Sequence, residues 1–270
     1  MACERELEAA LKATELASAA IGKLYEEFQR IPDAPADIST TADKQAQEII
    51  LCHLHQLFPH DAYCAEERTP SLAHCPHTGP RLWIVDPIDG SRGFARKNGE
   101  FSIMVAFVEE GQVIVGVVRE PARRRLTYAT RGGGCWRVDG DDAPPIPCRV
   151  SDTKTLSACV LTQSRSRDPG VPTSQVQVLR PRQVLETYSA GIKMALVARG
   201  EADVYVNRYA AFHDWDIAAG DVLVTEAGGQ VTGLNGEPIS YNTEGAWQRH
   251  GLLASNGHLH AKAVELLQHA

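Results

Sequence analysis

The sequence predicts a globular fold in which helices and strands are mixed. Two helical patterns open the chain, a series of short strands with tight turns follows, and helices then alternate with strands toward the C-terminus. The 270 residues suffice for one large domain or two fused ones. The hydrophobic fraction of 43% and the charged fraction of 23% are typical of a soluble globular protein and exclude a mainly disordered or fibrous chain.

The N-terminal part begins with two amphipathic helices. Apolar residues recur at steps of three or four over the first ~30 residues and predict a helix that Pro32 and Pro35 end. A second helix is predicted from about Thr40 to Phe58, where Pro59 ends it. Short apolar runs then predict strands at Leu82–Val85, Ser102–Val108, Val113–Val118, Leu126–Thr130 and Cys135–Val138.

The segment Asp139–Pro147 is rich in prolines, acidic residues and glycine and is the best internal boundary. Beyond it, strands are predicted at Ala158–Thr162, Ala202–Val206 and Gly251–Ser255. Helices are predicted at Ser189–Arg199, Asp214–Ala227 and His258–His269.

Charge and composition narrow the classes of partner. The net charge of −7 argues against a nucleic-acid polymer as partner, because such binders carry a basic excess. No apolar run reaches the ~18–20 residues of a membrane helix, so no membrane partner is expected. The charged N-terminus shows no signal-peptide pattern, which makes the cytoplasm the expected location. Seven irregularly spaced cysteines favour reduced thiols over a disulfide framework.

The strongest chemical signal is Asp86-Pro87-Ile88-Asp89-Gly90-Ser91, where a strand runs into two carboxylates three residues apart. Carboxylates at the end of a strand can converge on Mg²⁺, which prefers hard oxygen ligands and shares them with a substrate phosphate. The backbone N–H groups of Gly90 and Ser91 would then face that phosphate. The alternative is an ordinary turn, since Asp, Pro and Gly are common turn residues. The spacing excludes an EF-hand calcium loop.

Three further acidic signals each have a structural alternative. Asp43 follows Thr40 in a capping-box pattern and could serve only the start of a helix. Glu66 and Glu67 could be solvated surface charge, and Asp216 is favoured in the first turn of a helix whatever its role.

Two Cys/His clusters at residues 52–55 and 74–77 suggest zinc only weakly. A P-loop, a dinucleotide fingerprint and a G-x-S-x-G elbow are all absent from the sequence.

Taken in order, these signals resemble the lithium-sensitive, magnesium-dependent sugar-phosphatase superfamily, whose best-known member is inositol monophosphatase. The segment Trp83–Ser91 looks like its first signature, and Trp215–Gly220 with Glu226–Gly229 behind it looks like its second. Ala65-Glu66-Glu67 and Thr41-Ala42-Asp43 match the elements upstream of the first signature. The resemblance covers nearly the whole chain.

The resemblance implies an α+β fold, a layered α-β-α-β-α sandwich. Residues 1–145 would form an α+β half with most metal ligands, and residues 146–270 an α/β half with Asp216 and the substrate specificity. The substrate would be a small-molecule phosphate monoester, Li⁺ would inhibit, and a homodimer is expected. Two or three Mg²⁺ ions would be held by Glu66, Asp86, the Ile88 carbonyl, Asp89 and Asp216. Asp43 and Ser91, where the family more often has Thr, would orient and deprotonate the attacking water, with Glu67 behind the ligands.

Three local features are similar to the 3′(2′),5′-bisphosphate nucleotidase branch of the superfamily. They are Lys97–Ser102 after the first signature, Ser164-Arg165-Ser166, and Lys193. The resemblance implies that Gly90, Ser91, Ser164, Arg165 and Lys193 contact the substrate, with Lys193 and Arg165 as the cations for a second phosphate. Arg167 stands where that branch has His, and Ala190-Gly191 where it has a Ser-Ser pair. The alternatives are an inositol or sugar monophosphatase and a non-catalytic regulator that binds metal and phosphate.

Overall fold

A seven-stranded sheet occupies the N-terminal half of the chain. The computed structural model describes residues 3–35, 38–141, 143–166, 168, 170–209, 212–241 and 244–268. The strands are β1 (Ala62–Ala65), β2 (Arg81–Asp89), β3 (Ser102–Glu109), β4 (Gln112–Glu120), β5 (Arg125–Thr130), β6 (Gly134–Asp139) and β7 (Ile146–Pro147). They lie side by side in chain order, with β1 parallel to β2 and the other neighbours antiparallel.

The strand predicted to stop at Val85 was too short. β2 remains paired with β3 through Asp89, and the register shifts between Asp86, opposite Met104, and Asp89, opposite Ser102. Three steps along β2 thus match two along β3. Pro87 lies within this bulge, where a residue without an N–H donor is tolerated.

Two long helices lie next to this sheet, α1 (Glu4–Glu27) and α2 (Thr41–Leu57). The predicted start of α2 is confirmed, because Thr40 Oγ1 accepts a hydrogen bond from the Ala42 N–H at 3.1 Å. The Asp43 carboxylate in turn accepts from the Thr40 N–H at 2.7 Å. This capping arrangement satisfies N–H groups that have no partner inside the helix.

The C-terminal half forms a five-stranded sheet and a separate strand pair. Its strands are β8 (Val160–Gln163), β9 (Gln183–Glu186), β10 (Val204–Asn207), β11 (Phe212–His213), β12 (Gln230–Thr232), β13 (Trp247–Gln248) and β14 (Leu252–Ser255). The sheet order is β12-β14-β10-β8-β9, and β11 pairs with β13. The shorter helices of the chain are α3 (Pro70–Ala73), α4 (Ser91–Ala95), α5 (Ser174–Leu179), α6 (Ala190–Ala198), α7 (Ala218–Glu226) and α8 (His260–Gln268).

Two predicted elements of this half need correction. The strand predicted from Ala158 begins at Val160, because residues 156–158 form a 3₁₀ turn. The helix predicted over Asp214–Ala227 is broken at Ile217, where φ is −134°. A 3₁₀ turn over Asp214–Asp216 precedes the break, and the Asp216 carboxylate closes it by accepting the His213 N–H at 2.6 Å.

The elements stack in five layers. Helices α1 and α2 contact β2, β3 and β4, while α6 and α7 contact strands of both sheets, and α8, which packs with α5, contacts β14. The layered α-β-α-β-α arrangement is therefore confirmed. Because β7 still pairs with β6, the first sheet continues through Pro147. The division at residues 145 and 146 stays a prediction.

The contact between β4 and α7 depends on Gly116. A Cβ at this position would lie 2.3 Å from the Ala219 carbonyl oxygen and 2.5 Å from Val222 Cγ1. We expect Gly116→Ala to lower the free energy of unfolding by about 1–3 kcal/mol, the cost of overpacking a core. The control is Gly22→Ala in α1, where a Cβ would meet nothing within 4 Å. That change should raise stability by about 0.5–1 kcal/mol, and equal urea midpoints for the two variants would contradict the prediction.

All seven cysteines lie within the described residues, and all are free thiols. Titration of the denatured protein should therefore give seven reactive thiols with or without reductant. Cys135 and Cys148 are the pair best placed to cross-link, because the Cys148 N–H donates to the Cys135 carbonyl at 2.8 Å. A count that falls by two or more in freshly prepared protein without reductant would contradict the prediction.

Among the described residues, no helix combines the length and apolarity needed to span a membrane.

Candidate active site

Three acidic side chains converge beyond the carboxyl end of β2. Oxygen atoms of Asp86, Asp89 and Asp216 lie within 4.8 Å of one another. Residues three apart on a regular strand point to opposite faces, so the bulge after Asp86 brings Asp89 to the same side. The 3₁₀ turn before α7 supplies Asp216. Within the described part of the chain, no other group of three or more His, Cys, Asp or Glu side chains meets this distance.

Glu66 lies beside this cluster, at the end of the neighbouring strand. It follows β1 directly, and its N–H donates to the Val85 carbonyl at 3.3 Å. Because β1 and β2 are parallel, their carboxyl ends lie at the same edge of the sheet, and Glu66 and Asp86 lie close enough for each side chain to shift the pKa of the other. Glu67 is buried and turns elsewhere, accepting from Ser39 Oγ at 2.5 Å.

Asp89 also binds the start of α6, a contact that sequence reasoning missed. Its carboxylate accepts the N–H groups of Ala190 at 3.0 Å and Gly191 at 2.7 Å, and the hydroxyls of Ser102 and Ser189. A Cβ on Gly191 would lie 2.7 Å from Ser102 Oγ, so the absence of a side chain lets α6 approach closely. The pattern showed the start of α6, but no local signal pairs it with a residue 100 positions away.

The structure brings Asp43 and Ser91 together. Ser91 Oγ lies 2.8 Å from Asp43 Oδ1 and 2.9 Å from the Ile88 carbonyl oxygen. Asp43 Oδ2 accepts from Thr40, so one carboxylate serves both the capping contact and the contact with Ser91. Burial raises the pKa of Asp43 above its ordinary value. The predicted metal ligation by the Ile88 carbonyl stays a prediction.

A cavity of about 800 Å³ opens onto this cluster. Its lining includes the predicted substrate residues Gly90, Ser91, Ser164, Arg165 and Lys193 and, unpredicted, Arg92, Tyr188 and Tyr205. Arg167 lies outside the described residues. A second cavity, of about 300 Å³, is lined by residues between Gly233 and Gly251 and holds none of the predicted site residues.

The two predicted cations of the cavity already have partners in the chain. Lys193 is 1% exposed, and its Nζ donates to Ser164 Oγ at 2.9 Å and to the Thr187 and Tyr188 carbonyls at 3.2 Å. Burial lowers its pKa to about 8. The Arg165 guanidinium pairs with Glu100, with Nε 2.8 Å from Oε2. Their predicted contacts with substrate stay predictions.

Comparison with known proteins identifies the family. A family model described as "Inositol monophosphatase family" matches residues 4–270. The chain belongs to the inositol monophosphatase family. It is 33% identical over 231 residues to the fructose-1,6-bisphosphatase/inositol-1-monophosphatase of Thermotoga maritima, covering 86% of this chain and 82% of that protein. It is 32% identical over 219 residues to the 3′(2′),5′-bisphosphate nucleotidase CysQ of Salmonella typhimurium, covering 81% and 84%.

Solved structures of the inositol monophosphatase family share the fold. The IMPase of Thermotoga maritima superimposes with a TM-score of 0.81 at 29% identity, covering 98% of this chain and 97% of that one. The inositol monophosphatase of Anabaena gives a TM-score of 0.81 at 25% identity, covering 100% and 98%. The protein is therefore a phosphatase of this family, with the fold that the motifs implied.

The inositol monophosphatase family is generally Mg²⁺-dependent, and the acidic cluster fits such a cation. Burial raises the pKa of Asp86 well above its ordinary value, and nearby carboxylates raise it further. Burial and neighbouring charges likewise raise the pKa of Glu66, which faces the cavity, to about 8, and burial raises that of Asp216 to about 7. Asp86 Oδ1 is buried without a hydrogen-bond partner. A divalent cation would satisfy this oxygen and compensate the repulsion between the carboxylates.

Proposed function

We propose that the protein is a Mg²⁺-dependent phosphomonoesterase that hydrolyses 3′-phosphoadenosine 5′-phosphate to AMP and phosphate. One observation carries the proposal: the cavity that reaches the acidic cluster is also lined by Arg92, Arg165 and Lys193. A monophosphate needs cations at one place only, whereas a bisphosphate needs compensation at two. The volume of about 800 Å³ lies within the range of small-molecule sites.

Glu66, Asp86, Asp89, Asp216 and the Ile88 carbonyl would hold two or three Mg²⁺ ions. When bound, Mg²⁺ would neutralise the scissile phosphate, lower the pKa of a water and stabilise the leaving oxygen. Ser91 and Asp43 would accept the proton that the attacking water loses. Because the Ser91 hydroxyl donates to Asp43, its lone pairs can accept a hydrogen bond from the attacking water. The raised pKa of Asp43 suits it to take up the proton that Ser91 passes on.

Gly90 and Ser91 would orient the same phosphate through their backbone N–H groups. Gly90 has φ +86°, and a Cβ there would lie 2.7 Å from the Glu100 carbonyl oxygen, so this turn requires glycine. We place the enzyme in the cytoplasm, where its thiols would stay reduced. We propose a homodimer with a small-molecule substrate and neither a nucleic-acid polymer nor a membrane as partner.

A substrate panel tests the proposal. Phosphate release would be measured with Mg²⁺ on 3′-phosphoadenosine 5′-phosphate, inositol 1-phosphate and fructose 1,6-bisphosphate. We expect the highest kcat/KM for the adenosine bisphosphate, and inhibition by Li⁺. A preference for inositol 1-phosphate would replace the proposal with the monophosphatase alternative, which the structural likeness to two such enzymes supports. Binding of phosphate esters without turnover of any would indicate a regulator.

A further inference from the structure

Three arginines surround the ring of Tyr188. Their guanidinium carbons lie 5.4 Å (Arg92), 5.9 Å (Arg96) and 5.7 Å (Arg165) from the ring centroid, within the range of cation–π contact. Arg92, Arg165 and Tyr188 line the cavity of the acidic cluster, whereas Arg96 is not among its lining residues. The aromatic ring therefore holds positive charge at the wall of the substrate cavity.

The positively charged side chains that line the cavity differ in how many partners they have within the chain. Arg165 is paired with Glu100, and the Lys193 ammonium donates three hydrogen bonds within the chain. Arg92 forms no ion pair with any described residue, and its Nε is buried without a hydrogen-bond partner. Arg208, which also lines the cavity, has a further contact within the chain. A buried donor without an acceptor is unfavourable, so an anion from outside the chain would satisfy the Arg92 guanidinium.

The backbone of Arg92 is also placed beside the reacting groups. It follows Ser91, which contacts Asp43, and it belongs to the short helix α4. A Cβ on Gly93 would lie 2.3 Å from the Glu100 carbonyl oxygen, so α4 packs directly on the Glu100 backbone. The Glu100 carboxylate in turn accepts a hydrogen bond from the Tyr188 N–H at 3.3 Å. The helix that carries Arg92 and the backbone of Tyr188 therefore both contact Glu100.

We infer that Arg92 binds the second phosphate of the substrate and is the residue that separates bisphosphorylated from monophosphorylated substrates. The inference rests on the proposed function and narrows it, because it assigns the second phosphate to Arg92. Lys193, whose Nζ holds the Tyr188 carbonyl at 3.2 Å, then acts by positioning that ring. A guanidinium suits the task because its planar donors match two phosphate oxygens at once.

The test compares Arg92→Gln with wild type on 3′-phosphoadenosine 5′-phosphate and on adenosine 3′-monophosphate, which lacks only the 5′-phosphate. Loss of one charge-assisted contact should lower kcat/KM on the bisphosphate by about 10- to 150-fold. The loss should appear mainly in KM, with little change on the monophosphate. Arg92→Lys should recover part of it. The matched control Arg96→Gln, which changes a cation on the same ring but outside the cavity lining, should leave both substrates unchanged.

The outcomes separate the two proposals. If wild type prefers the bisphosphate and Arg92→Gln keeps that preference, the assignment of Arg92 is overturned while the proposed function stands. An equal loss on both substrates, or an equal loss in Arg96→Gln, also overturns it, because the effect would then be structural. If wild type shows no preference for the bisphosphate, the proposed function fails and the assignment fails with it.

Discussion

Asp86→Asn is expected to lower kcat by about 10³-fold or more, the scale of losing a principal electrostatic contributor at a metal site. Asp86 is 2% exposed, its Oδ1 has no partner in the chain, and its oxygens lie beside those of Asp89 and Asp216. The amide keeps the size of the carboxylate and removes its charge. Initial rates at saturating Mg²⁺ and substrate measure the effect, and a variant that keeps more than about a tenth of wild-type kcat would refute the ligand assignment.

Asp89→Asn is compared with Asp86→Asn. It should lower the stability of the protein as well as its activity. Both oxygens of Asp89 accept hydrogen bonds, including two N–H groups at the start of α6. An amide nitrogen in place of one oxygen would face donors. Asp86 has no such contacts with a helix, and its replacement by a neutral amide removes one of the charges that repel each other. Asp86→Asn should therefore unfold at or above the wild-type temperature when both proteins are measured in chelator at alkaline pH. If both variants unfolded at the same temperature, this account of Asp89 would be wrong.

The parts of the site that the sequence could predict are those encoded within a few residues. The segment from Asp86 to Ser91 carries two carboxylates and a turn in one stretch, and Asp43 sits in a recognisable helix start. The order of these signals along the chain then pointed to the family. The short strand β1 was missed because Ala62–Ala65 shows no alternation, although Glu66 directly after it was singled out.

The remaining features depend on contacts between distant segments. The bulge that turns Asp89 toward Asp86 is visible only in the register of β2 against β3. Burial of Lys193 follows from packing of α6 between the sheets, and a lysine in an otherwise apolar helix does not show which groups its ammonium will meet. The unpaired state of Arg92 emerges only when the partners of every neighbouring charge are known. Periodicity carries no such information.

Removal of divalent cations is expected to abolish turnover. Phosphate monoesters hydrolyse extremely slowly unaided, so protein treated with chelator should show no activity above background. Added Mg²⁺ should restore it, since the carboxylates that would hold the ions belong to the fold. Full activity in metal-free buffer would exclude the proposed mechanism, whereas activity with Mg²⁺ that resists Li⁺ would contradict only the expected lithium sensitivity.

The same treatment should make stability depend on pH. Folding raises the pKa of Glu66 from 4.5 to about 8 and that of Asp216 from 3.8 to about 7. Below their unfolded pKa values both states carry the protons, and this contribution to stability is fully present. It is lost progressively as the pH rises from the unfolded pKa values through 7 and 8, because the unfolded chain ionises freely while the folded protein must ionise against burial and neighbouring charge. In chelator, the unfolding temperature should therefore fall across that range.

Mg²⁺ should reverse the fall, because it binds the ionised carboxylates of the folded state. Saturation at about 100 times Kd adds about 2.7 kcal/mol to the free energy of unfolding. The gain in unfolding temperature should be larger near pH ~8.5 than near pH ~5.5, where protons compete for the same oxygens. Asp221→Asn is the control: burial raises the pKa of Asp221 to about 6, but this side chain pairs with Tyr241 and lies outside the cluster. That variant should keep the full Mg²⁺ effect and Asp86→Asn should lose most of it. A Mg²⁺ gain that is independent of pH, or equal in the two variants, would show that the cation binds elsewhere.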